Sequence, residues 1–258
     1  MVGLVAAGKY SNYFLLIGSV RQLLDQVFDG ITASVGNLGA TSHESRAKKI
    51  FDASFFIGQW MYGFSAICLF ELLTPFVAFS FGEGYVFARQ IELILCINFF
   101  VNGMRKPVLV FRDSLGLFWY DRYKSIAEAV INLVVSILLA LKLGTVGVFA
   151  GTLVSTVTTS TWVEPYVLYR HYLKASPIAY FIKFAVYSSV IGAAWLMTDY
   201  ICSFITGGVW TVIFGRLGIC ILLPNLLMLI LYCRTGEFRF VMNKAVGLIR
   251  KNNGKTEV

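Results

Sequence analysis

Long runs of apolar residues set the terms on which this chain can fold. Seven segments, at about residues 10–38, 51–81, 88–112, 125–142, 146–168, 178–205 and 209–233, are mainly apolar. Each is close to or beyond the roughly 20 residues that a helix needs to cross about 30 Å of hydrocarbon. Inside a bilayer only helices and closed barrels satisfy every backbone polar group, and runs of this length are helices. Charged residues make up 14% of the chain and the mean hydropathy is +0.72, whereas soluble domains carry roughly a quarter charged residues. The sequence therefore predicts an all-α, polytopic membrane helix bundle of about seven transmembrane helices. One domain, 1–233, is followed by a basic tail, 234–258, able to form an amphipathic surface helix through about Arg250.

Lysine and arginine test how the helices are threaded, because cytoplasmic loops accumulate them. Arg46, Lys48 and Lys49 follow the first segment; Arg112, Arg122 and Lys124 follow the third; Arg170 and Lys174 follow the fifth; six more follow the seventh. The alternate connections hold only Arg89 and Lys142, and the N-terminus holds Lys9. This alternation predicts an outside N-terminus and a cytoplasmic C-terminus. The net charge of +8 is accordingly a topology signal and an attraction to anionic membrane lipids, not a nucleic-acid signature. No signal-peptide pattern precedes the first segment, and an odd number of spans with an outside start is what a chain missing its beginning would show.

Metal and cofactor chemistry find no support. Cys68, Cys96, Cys202, Cys220 and Cys233 lie in or beside apolar runs without a CxxC pair, and read as small buried hydrophobes. His43 and His171 sit in basic connecting segments as solvated loop residues. No paired carboxylates, Ser/His/Asp arrangement, Walker-type loop or HExxH is present, so no catalytic residue is assigned and the chain is not expected to be an enzyme.

Polar residues inside the apolar runs are the informative ones, since a charge in hydrocarbon costs a few kcal/mol and turns toward protein or a wet cavity. In the first segment Arg21, Asp25 and Asp29 recur every four residues on one stripe, with Gln22 and Gln26 beside it. Two readings are open: a cavity wall that meets a polar substrate, or an Arg21–Asp25 pair with the remainder bonding to neighbouring helices. The third segment carries Asn98, Asn102, Arg105 and Lys106, with Gly103 and Pro107 predicting a kink or break. Arg105 there is a candidate phosphate ligand, while Lys106 reads as snorkelling to the surface. Substrate-binding candidates are Arg21, Gln22, Gln26, Asn102 and Arg105. Coupling to a proton or sodium ion would need a buried carboxylate, for which Asp25, Asp29 and Glu71 are candidates. Glu92, Glu128, Glu164, Lys183 and Arg216 are isolated charges near or inside spans, with Glu164 beside Pro165 read as a cap or loop partner. Asn132 and Ser136, one turn apart on one face, read as interhelical hydrogen-bonding residues, with cavity lining as the alternative.

The stretches "AAGKYSNYFLLIGSVRQLLDQVFDGITASVGNL", "FRDSLGLFWYDRYKSIAEAVINLVVSILLALKLGTVGVFAGTLVST" and "WVEPYVLYRHYLK" resemble bacterial polysaccharide-biosynthesis membrane proteins. These are the flippases of the multidrug, oligosaccharidyl-lipid and polysaccharide export superfamily. The resemblance implies two lobes of helices rocking around a central cationic cavity. It implies transport of an undecaprenyl-diphosphate-linked oligosaccharide across the bacterial cytoplasmic membrane for capsule, O-antigen or exopolysaccharide assembly. This chain would correspond to the C-terminal lobe plus two extra helices. Partners implied are the lipid-linked oligosaccharide, membrane lipids, a polysaccharide polymerase and glycosyltransferases. Alternatives are a membrane enzyme of polysaccharide assembly (a polymerase, ligase or acyltransferase) and a truncated, non-transporting remnant.

Overall fold

The computed structural model describes residues 4–41 and 44–253. Among these are nine α-helices and no strand: α1 (Leu4–Thr41), α2 (Glu44–Phe81), α3 (Arg89–Ser114), α4 (Lys124–Leu143), α5 (Thr145–Thr158), α6 (Ser160–Leu168), α7 (Ile178–Cys202), α8 (Val209–Tyr232) and α9 (Gly236–Asn253). The expected tail helix is thus present as α9, while His43 and residues 254–258 fall outside the described residues.

Six helical stretches are long and apolar enough to cross a membrane: Ser45–Phe81, Arg89–Ser114, Lys124–Leu143, Thr145–Leu173, Ile178–Cys202 and Val209–Tyr232. The remaining expected span, the first, lies in α1 and has the length, 38 residues, but Arg21, Asp25 and Asp29 keep it from the hydropathy of the others. The fifth expected span is two helices in near continuity, joined at Thr159 and closed by a π-helical turn, Tyr169–Leu173. Hydroxyls explain the interruption. Thr158, Thr159 and Thr161 each donate back to a backbone carbonyl, of Val154, Ser155 and Thr156, and this competes with the regular ladder.

α2 and α3 form the centre. α2 packs on α1, α3, α7, α8 and α9, and α3 packs on α1, α2, α5 and α6. The sequence predicts a kink or break at Gly103 and Pro107, and the interface of α2 with α3 explains why no break occurs: α3 runs continuously to Ser114. A Cβ on Gly103 would fall into the ring of Tyr62, and Pro107 lies over Gly58 of α2. Gly103 therefore serves close helix approach, and proline is tolerated where neighbouring helices support the backbone.

α4 is the opposite case, packed chiefly on α5 with no residue of its most apolar window buried. Leu133, Val134, Ile137, Leu138 and Leu141 all point outward. Such a surface is stable only against lipid or another protein. The turn between α4 and α5 is Gly144 at φ 60, and Gly147 lies against the α4 backbone at Leu139. Within this hairpin Ser136 donates to Asn132 at 2.8 Å and to the Val148 carbonyl at 3.3 Å, the interhelical role expected for the pair. Glu128, also on α4, accepts from Thr156 at 3.0 Å and from Ser160 at 2.6 Å.

The connections place Gly82–Ala88, Gly144 and the loop between α7 and α8 at one end of the bundle, here the distal end. The junctions α3–α4, η-turn–α7 and α8–α9 lie at the other, the α9 end. α9 docks there on α2, with Phe238 stacked on Trp60 at 6.1 Å and Lys183 of α7 bridging Asp52 (3.1 Å) and Glu237 (2.7 Å). Burial alone would raise the Glu237 carboxyl. The hydrogen bond and charge of Lys183 override it and hold Glu237 below the ordinary carboxylate range.

Candidate functional site

Three polar groupings interrupt the apolar bundle, and they differ in burial and in pairing. The first is the outer face of α1. Arg21 is half exposed and its Nε is 3.9 Å from Asp25, the i,i+4 pair that the sequence spacing anticipates. Gln22, Gln26 and Asp29 are exposed, and Asp25 is half-buried. From α3, Lys106 reaches across to Asp25 at 3.6 Å and Asp29 at 3.3 Å, so its ammonium is held between the helices. Tyr62 of α2 donates to Asp25. A groove of about 490 Å³ runs along the same helix, lined by Tyr10, Ser11, Ser19 and Gln22 among others. The two other grooves, of about 330 and 300 Å³, are lined almost wholly by apolar side chains such as Ile67, Phe70, Leu69 and Phe76. Of these three grooves, the one lined by Tyr10, Ser11, Ser19 and Gln22 presents the most polar groups.

The second grouping is a buried ion network at the α9 end. Arg105 binds Glu164 of α6 in a fork, Nε at 3.0 Å and Nη2 at 2.7 Å. Its Nη1 donates to Asn102 at 2.8 Å, and Asn102 in turn donates to the Asn98 carbonyl at 2.9 Å. Lys124 also binds Glu164, while Arg112 joins Asp121 at 2.7 Å and Asp113 at 2.8 Å. Glu164 is fully buried and Asp121 is 7% exposed. Three cations thus face three carboxylates, and planar Arg105 makes the bidentate contact that best repays burial. Arg105 and Asn102 are therefore joined to each other and to Glu164, and they are apart from the α1 face that carries Arg21, Gln22 and Gln26.

The third grouping lies toward the distal end. Glu71 of α2, 1% exposed, has Arg216 of α8 at 3.5 Å and Arg89 of α3 at 3.7 Å. Arg89 also binds Asp199 of α7, and Arg216 donates to the Glu71 carbonyl at 3.2 Å. Glu92, equally buried, accepts from Thr74 at 2.8 Å. Of the coupling-ion candidates, Glu71 sits here, whereas Asp25 and Asp29 belong to the α1 face. Among the described residues no group of three or more His, Cys, Asp or Glu is placed to hold a metal ion.

Sequence reading did not join Glu164, Asp121 and Lys124 into one network with Arg105, or Glu92 with Thr74. The partners are 59, 40 and 18 residues apart, and no local spacing carries such pairings. A charge beside Pro165 in an apolar run was the available signal for Glu164.

The chain matches no protein-family model, no curated protein and no solved structure. What fold and polar groupings define is an all-helical membrane protein, with six helices able to span and one polar helix packed lengthwise beside them.

Proposed function

We propose that this chain is part of a membrane transporter that moves a lipid-linked oligosaccharide across the bacterial cytoplasmic membrane for polysaccharide assembly and export. The observation that carries the reading is the face of α1. Arg21, Gln22 and Gln26 stand exposed and Asp25 half-buried on a helix laid against the spanning helices α2 and α3. A diphosphate and its sugars cannot cross hydrocarbon unshielded. They need cations for phosphate and amides or carboxylates for hydroxyls, in a wet groove. The α1 face has that chemistry: Arg21 and Lys106 supply the positive charge, Gln22 and Gln26 the amides, Asp25 and Asp29 the acceptors.

In this reading α1 lines the pathway with a polar surface opposite it. Arg105 and Asn102 hold the adjoining helix in place from behind, through Glu164. The bundle is a multi-pass protein of the cell membrane with its N-terminus outside and its C-terminus and α9 in the cytoplasm, the arrangement that the lysine and arginine distribution favours.

A photoreactive amino acid at position 22, compared with one at lipid-facing position 133, tests the proposal in membranes of cells that make an extracellular polysaccharide. Mass spectrometry is expected to find a diphosphate-linked saccharide adduct from position 22 and only phospholipid adducts from position 133. The same phospholipid pattern at both positions would overturn it.

A further inference from the structure

The third grouping has one acid over: Glu71, Glu92 and Asp199 stand with two cations, Arg89 and Arg216, while Lys9, at the same end of the bundle, is engaged by the Val86 carbonyl at 3.4 Å. Glu71 and Glu92 both have buried carboxylate oxygens without a hydrogen-bond partner, and ion pairing tells them apart. Arg89 is bound to Asp199. Arg216 is fixed to Glu71 by its carboxylate at 3.5 Å and by its backbone carbonyl at 3.2 Å. Glu92 has no cation within ion-pair distance among the described residues. It is 1% exposed, its Oε2 accepts a single hydrogen bond from Thr74, and its Oε1 is buried without a partner.

The groups that face Glu92 do not fill that vacancy. From α1 comes Tyr13, whose hydroxyl accepts the Phe87 N–H at 3.1 Å and makes no hydrogen bond to Glu92, leaving Oε1 without a partner. From α2 come Thr74 and, farther off, Glu71; from its own helix, Arg89 and the buried thiol of Cys96. From α8 the Arg216 charge reaches it only at a distance, and from α7 Asp199 is taken up by Arg89. An isolated carboxylate in such a setting costs several kcal/mol, and the usual resolution is uptake of a proton. Three carboxylates that do not converge offer no cage for a metal ion.

We propose that Glu92 is a proton-binding site, the neutral acid being its resting form and Oε1 the atom that holds the proton. In the exchange step a hydronium ion or a buffer acid gives up the proton, a new O–H bond forms at Oε1, and no electron moves. The Arg89–Asp199 pair, with side chains 53% and 34% exposed, stands between the buried acids and the surroundings and is the route of access. The site is independent of what the α1 face carries, so its test does not depend on the transport proposal.

Infrared difference spectroscopy on the purified full chain in lipid bilayers tests it, comparing acidic with alkaline buffer in H2O and D2O. The expected result is a protonated-carboxyl carbonyl band at neutral pH that shifts in D2O, persists in Glu71→Gln and is lost in Glu92→Gln. Three results would overturn the proposal: no such band in the parent, a band that survives Glu92→Gln, or a band that sodium abolishes and potassium does not. Gln has the shape and neutrality of the protonated acid. A Glu92→Gln chain that fails to fold, judged by gel filtration and circular dichroism, would therefore also contradict it.

Discussion

The two ends of the bundle handle buried charge in opposite ways. At the α9 end Arg105, Arg112 and Lys124 meet the buried Glu164 and Asp121 and the exposed Asp113, three against three, and Glu164 has a fork of hydrogen bonds as well. Toward the distal end two arginines meet three acids: Asp199 is bound directly by Arg89, but Glu71 has ion pairs at 3.5 and 3.7 Å and Glu92 a lone hydroxyl donor. A balanced and hydrogen-bonded network resists any change in its members. An unbalanced one is free to exchange a small charge with the solvent. Structure at the first end and exchange at the second are the division of labour that this difference supports.

The largest effect is expected at the balanced end. Glu164→Gln leaves Arg105 and Lys124 buried without their common negative charge, and breaking a buried pair from one side costs about 3–5 kcal/mol. Thermal unfolding in detergent should show a loss of that order or no recoverable folded protein. A change of less than about 1 kcal/mol would make the network ornamental.

A smaller effect belongs to the half-exposed bridge of Lys183 between Asp52 and Glu237, which pins α9. Pairs of this exposure are worth about 1 kcal/mol or less, so Lys183→Gln should raise hydrogen exchange in α9 no more than about fivefold, without unfolding the bundle. The sign with pH follows from the Glu237 carboxyl being held below its ordinary value. Its contribution is complete above the unfolded carboxylate pKa of about 4.3 and drains away as pH falls through the lower folded value. Exchange in parent α9, corrected for the intrinsic rate, should therefore rise at acidic pH and stay level from neutral pH until lysine itself loses its proton, at about pH 10 or above. A rise between about pH 7 and 9 would contradict the assignment.

How much of this could be read from sequence depended on distance along the chain. Helices and their ends were legible to within a few residues for most segments, because apolar runs and the turn at Gly144 are local signals. Local too were the Arg21–Asp25 pair and the Asn132–Ser136 pair, each one helical turn apart. Charge within α1 left six apolar spans in place of seven: its length was plain, but Arg21, Asp25 and Asp29 determine whether it meets lipid. What stayed hidden was long-range pairing. Lys106, expected at the surface, lies between Asp25 and Asp29, 81 and 77 positions away. Pro107, expected to kink or break α3, leaves the helix continuous where α3 packs on α2. Glu92 and Glu164 look alike in the sequence, single acids in apolar helices. Only the fold gives one a fork of cations and the other a threonine.

That pair supplies the decisive measurement, the thermal stability of Glu92→Gln set beside that of Glu164→Gln in the same detergent at neutral pH. The account predicts no loss for Glu92→Gln, because a neutral group replaces a neutral group, against a loss of about 3–5 kcal/mol for Glu164→Gln. Equal losses in the two would show that Glu92 is an ionised partner like Glu164, and would contradict the distinction between the two ends.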